Sequence, residues 1–140
     1  MKRLLLFIPV LLLLCLNMVA QNKQAAIDSL ESRYQRCLAK SQYMYGCALD
    51  YYRDLDSMLD LVYRQLYSKL DTSRRQNLMV QQSLWKEKKE AYFKLLDTRV
   101  EKLHKKTLAG LDDQVIATDH KAAYIKNRVT ELISRYPTAG

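Results

Sequence analysis

Cys37 and Cys47 are the side chains in this 140-residue chain best placed for covalent chemistry. Their C-x9-C spacing encloses Ser41, Tyr43 and Gly46, which is wrong for a redox C-x-x-C pair. Zinc is disfavoured as well, because the histidines are His104 and His120 and neither stands at ligand spacing. No metal, cofactor or catalytic constellation is expected. Of the three cysteines, Cys15 lies in an apolar N-terminal run read as a cleaved export signal; the two that remain, in an oxidising compartment, read instead as one structural disulfide, Cys37–Cys47.

Polar side chains inside apolar stripes are the next informative residues. Asp56 interrupts the stripe of the second helix, and Asp60 flanks it one place past Leu59. Gln82 and Lys89 interrupt the third. A buried carboxylate is costly unless it is paired and hydrogen-bonded. The expectation is therefore a polar cluster between helices, with Asp56 or Asp60 facing Lys89, Gln82 and the Tyr63 hydroxyl. The competing expectation is that these groups sit at the rim of a bundle and reach water. Leu59, Leu78 and Trp85 are assigned to the core around them. No nucleophile or Gly-rich loop accompanies the carboxylates, so they do not form an acid/base couple, and the chain is not expected to be an enzyme.

Four helices must position these groups. Few breakers and many long side chains favour helix throughout. Apolar positions recur in steps of three and four at 27–37, 49–70, 78–103 and 115–136, with the second series running 49, 52, 56, 59, 63, 66 and 70. Tyr43–Gly46 separates the first two helices. Asp71, Thr72 and Ser73 supply N-cap side chains for a third helix over about 73–108, with a bend expected near Asp97-Thr98. Gly110 is read as the left-handed residue that ends it. Asp112 and Asp113 suit the N-terminus of a fourth helix, which Pro137 closes. Short connections make sequence neighbours antiparallel, so the fold class is all-α: an antiparallel bundle of about four helices with one disulfide.

Lys2 and Arg3 precede an almost unbroken apolar run, Leu4 to Leu16, and polar sequence follows. That is the order of a secretory signal peptide, and the run is shorter than the roughly 20 apolar residues of a spanning helix. Residues 1–20 are read as the signal, cut near Ala20, and residues 21–140 as a single helical domain. Leu14 before Cys15 does not suit a lipoprotein signal, so Cys15 is read as part of the discarded region. Removing Lys2 and Arg3 from the 23 basic residues leaves 21 against 15 acidic, a net charge of +6. That balance favours anionic envelope polymers, anionic lipid or acidic proteins, and a periplasmic or secreted location argues against nucleic acid. Nothing in the sequence sets the oligomeric state.

Two surfaces are candidates for partner binding. Six of the ten tyrosines fall between 43 and 67, and Tyr43 and Tyr45 lie within the segment closed by the cysteines. Tyrosine combines apolar area with a polar tip, which suits interfaces. The stretch 86–106 carries eight Lys and Arg residues, among them Lys94, Arg99, Lys102, Lys105 and Lys106. Such a face is either solvated surface or a site for anions.

The segment from Cys37 to about Ala91 resembles the LprI-like lysozyme-inhibitor domain. The matching features are Cys37, Met44-x-x-Cys47, Asp56-x-x-Leu59-Asp60-x-x-Tyr63, Leu78-x-x-x-Gln82-x-x-Trp85 and Lys89-Glu90-Ala91. Arg128-Val129-Thr130-Glu131-Leu132 is similar to the family's closing motif. Asp60 stands where the family usually has Asn, and Lys89 where it usually has Arg. The family often carries a second cysteine pair, at places held here by Phe93 and the Asp119–His120 region. The resemblance implies a small exported, all-helical, non-enzymatic protein that binds lysozyme or another envelope protein. A lysozyme cleft uses two carboxylates, and the Tyr43–Gly46 loop is the segment expected to enter it. Many lysozymes are basic, so a +6 partner would approach slowly.

Overall fold

The computed structural model describes residues 7–41, 43–104 and 110–136, with side chains from 23 onward except at 42, 103–111 and 137–140. Four helices make up this part of the chain: α1 (Phe7–Lys40), α2 (Met44–Lys69), α3 (Thr72–His104) and α4 (Gly110–Arg135). No described helix is long and apolar enough to cross a membrane. Residues 1–6 of the expected signal, Lys105 and Lys106 lie outside the described residues.

The helix ends follow from local chemistry. Asp71 caps α3: its Oδ1 accepts the Arg74 backbone N–H at 3.0 Å. That hydrogen bond holds the Asp71 carboxyl below its ordinary range. Asp112 and Asp113 stand in the first turn of α4, where negative charge meets the positive end of the helix dipole. Three expected boundaries move. Gly110 opens α4 instead of ending α3, and no described residue has a positive φ. Helix α3 runs unbroken through Asp97-Thr98; the Thr98 hydroxyl donates back to the Lys94 carbonyl at 2.8 Å within the helix. Gly46 lies inside the first turn of α2, where a Cβ would collide with the Tyr43 ring.

Cross-links between side chains give the helix directions. Cys37 bonds to Cys47 and Arg33 pairs with Asp54, so α1 and α2 are antiparallel. Tyr34 reaches Asp119 while Glu31 reaches Lys126, so α1 and α4 are antiparallel too. Helices α2 and α4 therefore run the same way. They form the most extensive helix contact of the fold, with α1 on one side and α3 packed mainly on α4. Leu55, Leu59, Val62, Leu66, Ala122, Ile125, Val129 and Leu132 share the core, together with Ile27, Leu70, Leu78 and Ile133. Each fully buried Leu, Ile or Val contributes on the order of 1.5–3 kcal/mol.

The buried stripe of α2 keeps Leu59, Leu66 and Leu70 of the expected series but takes Ala48, Leu55 and Val62 in place of Leu49, Asp56 and Tyr63. Ala48, Leu55, Leu59, Val62, Leu66 and Leu70 are buried, while Tyr52, Asp56 and Tyr63 are half-buried on the flank. The expected series runs through Asp56, which the structure leaves on the flank of the buried stripe. The packing with α4 selects the adjacent face, which has Ala48, Leu55 and Val62 at the corresponding steps and no charge.

A second apolar cluster lies at the disulfide, where Tyr34, Cys47 and Ala48 pack with Cys37, Leu38, Tyr51 and Val115. The short loop closed by the disulfide contributes about 2–3 kcal/mol in the chain-entropy view. Tyr34 stacks on Tyr51 with centroids 4.7 Å apart and donates its hydroxyl proton to Asp119 Oδ1 at 2.5 Å. Burial, then the carboxylate acceptor, pushes the Tyr34 phenol well above its ordinary 10.0. As pH rises past about 10 the unfolded chain loses this proton first. The stabilisation is thus complete below that pH and declines above it. Urea denaturation across pH 8–11 should show this decline, and Tyr34→Phe should reduce it while costing about 1.5–3 kcal/mol at neutral pH.

Candidate functional site

Because α3 leans on α4, its backbone stays apart from that of α2, although the two are consecutive and side chains such as Tyr52 and Phe93 meet edge-on at 6.1 Å. A groove of about 250 Å³ remains between them. Asp56, Leu59, Asp60 and Tyr63 line it from α2, and Gln82, Trp85, Lys86 and Lys89 from α3. All five residues of the expected polar cluster meet here, but their bonds differ from the expectation.

The buried cation is Arg128 of α4, not Lys89. Arg128 is 4% exposed, and its Nε and Nη2 both donate to Gln82 Oε1 at 3.0 Å. Its Nη1 donates to Glu131 at 2.8 Å. A guanidinium suits this place because it stays ionised and presents donors in a planar fork. Asp60 is exposed and pairs with Arg64 one turn along α2. Lys89 makes no ion pair with either aspartate; its ammonium lies over the rings of Trp85 at 5.6 Å and Phe93 at 5.7 Å. Asp56 is half-buried and has no hydrogen-bond or ion-pair partner among the described residues. Burial raises the Tyr63 phenol above its ordinary range, so its hydroxyl remains protonated.

Trp85, expected in the core with Leu59 and Leu78, is half-buried and forms a wall of the groove, whereas those two leucines are 5% and 0% exposed. Its indole stacks on Tyr124 at 5.6 Å, with the Arg128 guanidinium 5.7 Å from the ring centre. Phe93, at one of the places where the resemblance implies a second cysteine pair, faces α4 as well. Lys121 lies 5.4 Å from its ring and Tyr124 meets it edge-on at 6.0 Å. Ring packing and a cation thus join α3 to α4 there.

The other candidates lie apart from the groove. Tyr43 is 62% exposed just before α2, and its ring meets Tyr45 edge-on at 6.2 Å. Tyr45 is half-buried and lines a separate depression with Asp97, Gln114 and Lys121. Lys94, Arg99 and Lys102 are exposed on α3, and none has an ion-pair partner among the described residues. Among the described residues no group of three His, Cys, Asp or Glu side chains is placed to hold a metal.

Arg128 and Glu131 were visible in the sequence only as part of the closing motif. The partnership of Arg128 with Gln82 crosses 46 positions and has no local signal. Tyr124, Tyr34 and Asp119 were likewise not singled out; each acts through a helix distant in sequence.

The fold and site define a small helical bundle pinned by one disulfide, with a polar-walled groove on one side and an exposed tyrosine corner at the disulfide end. A family model described as lysozyme inhibitor LprI matches residues 37–132, and the chain belongs to that family. No curated protein and no solved structure matches it. The match begins at the first disulfide cysteine and ends just after Arg128 and Glu131, so it spans the corner, the groove and the buried cation.

Replacing Gln82 by Leu removes the one oxygen that accepts two of Arg128's hydrogen bonds in the interior. Chemical denaturation should show a loss of about 1.5–3 kcal/mol. An unchanged midpoint would mean that water satisfies the guanidinium.

Proposed function

We propose that this chain is an exported, non-enzymatic envelope protein that acts by binding another protein, with lysozyme as the target its family indicates. Membership of an inhibitor family supports the class of activity. The charged start, the short apolar run and the disulfide support export. Ile27 is the first buried side chain among those described, so a cut near Ala20 removes none of the described core residues.

The observation that carries protein binding is the geometry of Tyr43. A largely exposed aromatic residue is held at the start of α2 with its ring over Gly46, beside the disulfide. Such a residue offers a large contact with little conformational freedom left to lose, as interface anchors do. Its exposure suits entry into a cleft.

The test is lysis of cell-wall substrate by lysozyme in the presence of the mature protein. Excess protein should slow lysis, and Tyr43→Ala should weaken inhibition at least tenfold without changing the thermal midpoint. Undiminished lysis at excess protein would remove lysozyme as the target.

A second reading has one specific observation behind it: the unpaired, exposed Lys94, Arg99 and Lys102 on α3. It makes the protein a ligand of anionic envelope polymers or lipids. Binding to vesicles rich in anionic lipid should then fall steeply between low and physiological salt. Salt-insensitive binding would discard this reading.

A further inference from the structure

We propose that the α2–α3 groove is a binding site for a single uncharged pyranose ring of an envelope glycan. One oriented amide sets the chemistry of this groove. Gln82 is 6% exposed, and both donors of Arg128 converge on its Oε1. A guanidinium has no acceptor to offer, so Oε1 must face it and Nε2 must face away. The groove is what Gln82 lines on its other side. Nε2 has no protein acceptor among the described residues, and it is not sealed from solvent. A buried, oriented amide donor is thereby presented to whatever enters.

Opposite stands Asp56, an acceptor with no hydrogen-bond or ion-pair partner among the described residues. Tyr63 adds a neutral hydroxyl that both donates and accepts. Leu59 and the indole of Trp85 add apolar surface between the polar groups. Donors, acceptors and an apolar strip in one groove match the hydroxyls and C–H face of a sugar ring.

Charge selects against the alternatives. Asp56 and Asp60 on one wall are balanced by Lys86 and Lys89 on the other. A cationic side chain from a partner would meet the lysines, and an anion would meet the aspartates. Volume narrows the choice further. About 250 Å³ is below the usual range of roughly 300–1,000 Å³ for drug-sized ligands, so the groove takes one ring of a chain and leaves its neighbours outside. Affinity for so few contacts is expected on the order of 1 mM. The groove is distinct from the Tyr43 corner, so this site stands whether or not lysozyme is the protein's target.

Trp85 is the one tryptophan of the chain, so its fluorescence reports on the groove wall directly. The mature protein is titrated with N-acetylglucosamine trimer and with maltotriose, which separate an amino-sugar wall glycan from a plain glucan. Glycine, inorganic phosphate and acetyl-arginine amide serve as zwitterionic, anionic and cationic probes. The expected result is a saturable change in Trp85 emission with at least one sugar and none with the charged probes. Asp56→Ala should weaken sugar binding at least tenfold. Gln82→Glu keeps the acceptor that Arg128 uses but removes the amide donor, and should weaken binding similarly while the protein stays folded by circular dichroism. No emission change with either sugar at ten times the expected dissociation constant overturns the proposal. So does a response to charged probes alone, or sugar binding that both variants leave unchanged.

Discussion

The close parallel packing of α2 on α4 is the constraint from which the rest of this structure follows. Leu55, Leu59, Val62 and Leu66 meet a face of α4 built on Ala122, Ile125, Val129 and Leu132. A small residue in that face lets the helices approach, and the buried area then decides which side of α2 points inward. With α2 and α4 joined, α1 and α3 occupy opposite flanks. A chain with short connections would ordinarily be expected to pack α2 against α3. Here that pair is parted, and the space between them is the groove.

Arg128 is the second consequence. It lies on α4 beside Val129, so its stem enters the interior with the core residues. An isolated cation there would be strongly unfavourable. Gln82 and Glu131 satisfy it with three hydrogen bonds, and the Trp85 ring lies beside it. The same contacts fix the Gln82 amide and limit the positions of Trp85. One buried charge thus ties α3 to α4 and sets the chemistry of the groove floor. Polar networks of this kind hold a particular register because a displaced member leaves a charge unsatisfied.

The disulfide end is organised separately. Cys37–Cys47, the Tyr34–Tyr51 stack and the Tyr34–Asp119 bond fasten α1 to α2 and α4 there. Fixing this corner fixes the start of α2, and with it the exposed ring of Tyr43. Groove and corner therefore draw on different contacts, and each can be altered without dismantling the other.

Much of this was legible in the sequence. Steps of three and four gave the helices, Asp71 gave a cap, and two cysteines in a chain with a charged, apolar start gave the disulfide. The residues expected to cluster stood out as legible local anomalies, because charges inside an apolar stripe are conspicuous; in the structure they line one groove. Their bonds were not. Asp60 prefers Arg64 one turn away, and Lys89 lies over aromatic rings. The cation that holds Gln82 comes from another helix. Nor did periodicity reveal that the buried face of α2 is Ala48-Leu55-Val62 and not the neighbouring stripe with Asp56, since the two differ by one residue and both keep helical spacing. Local sequence determines which segments are helical and which residues are costly to bury, because those depend on near neighbours. Which helix meets which, and so which partner each polar group finds, is decided by the apolar area that only the assembled tertiary structure removes from water.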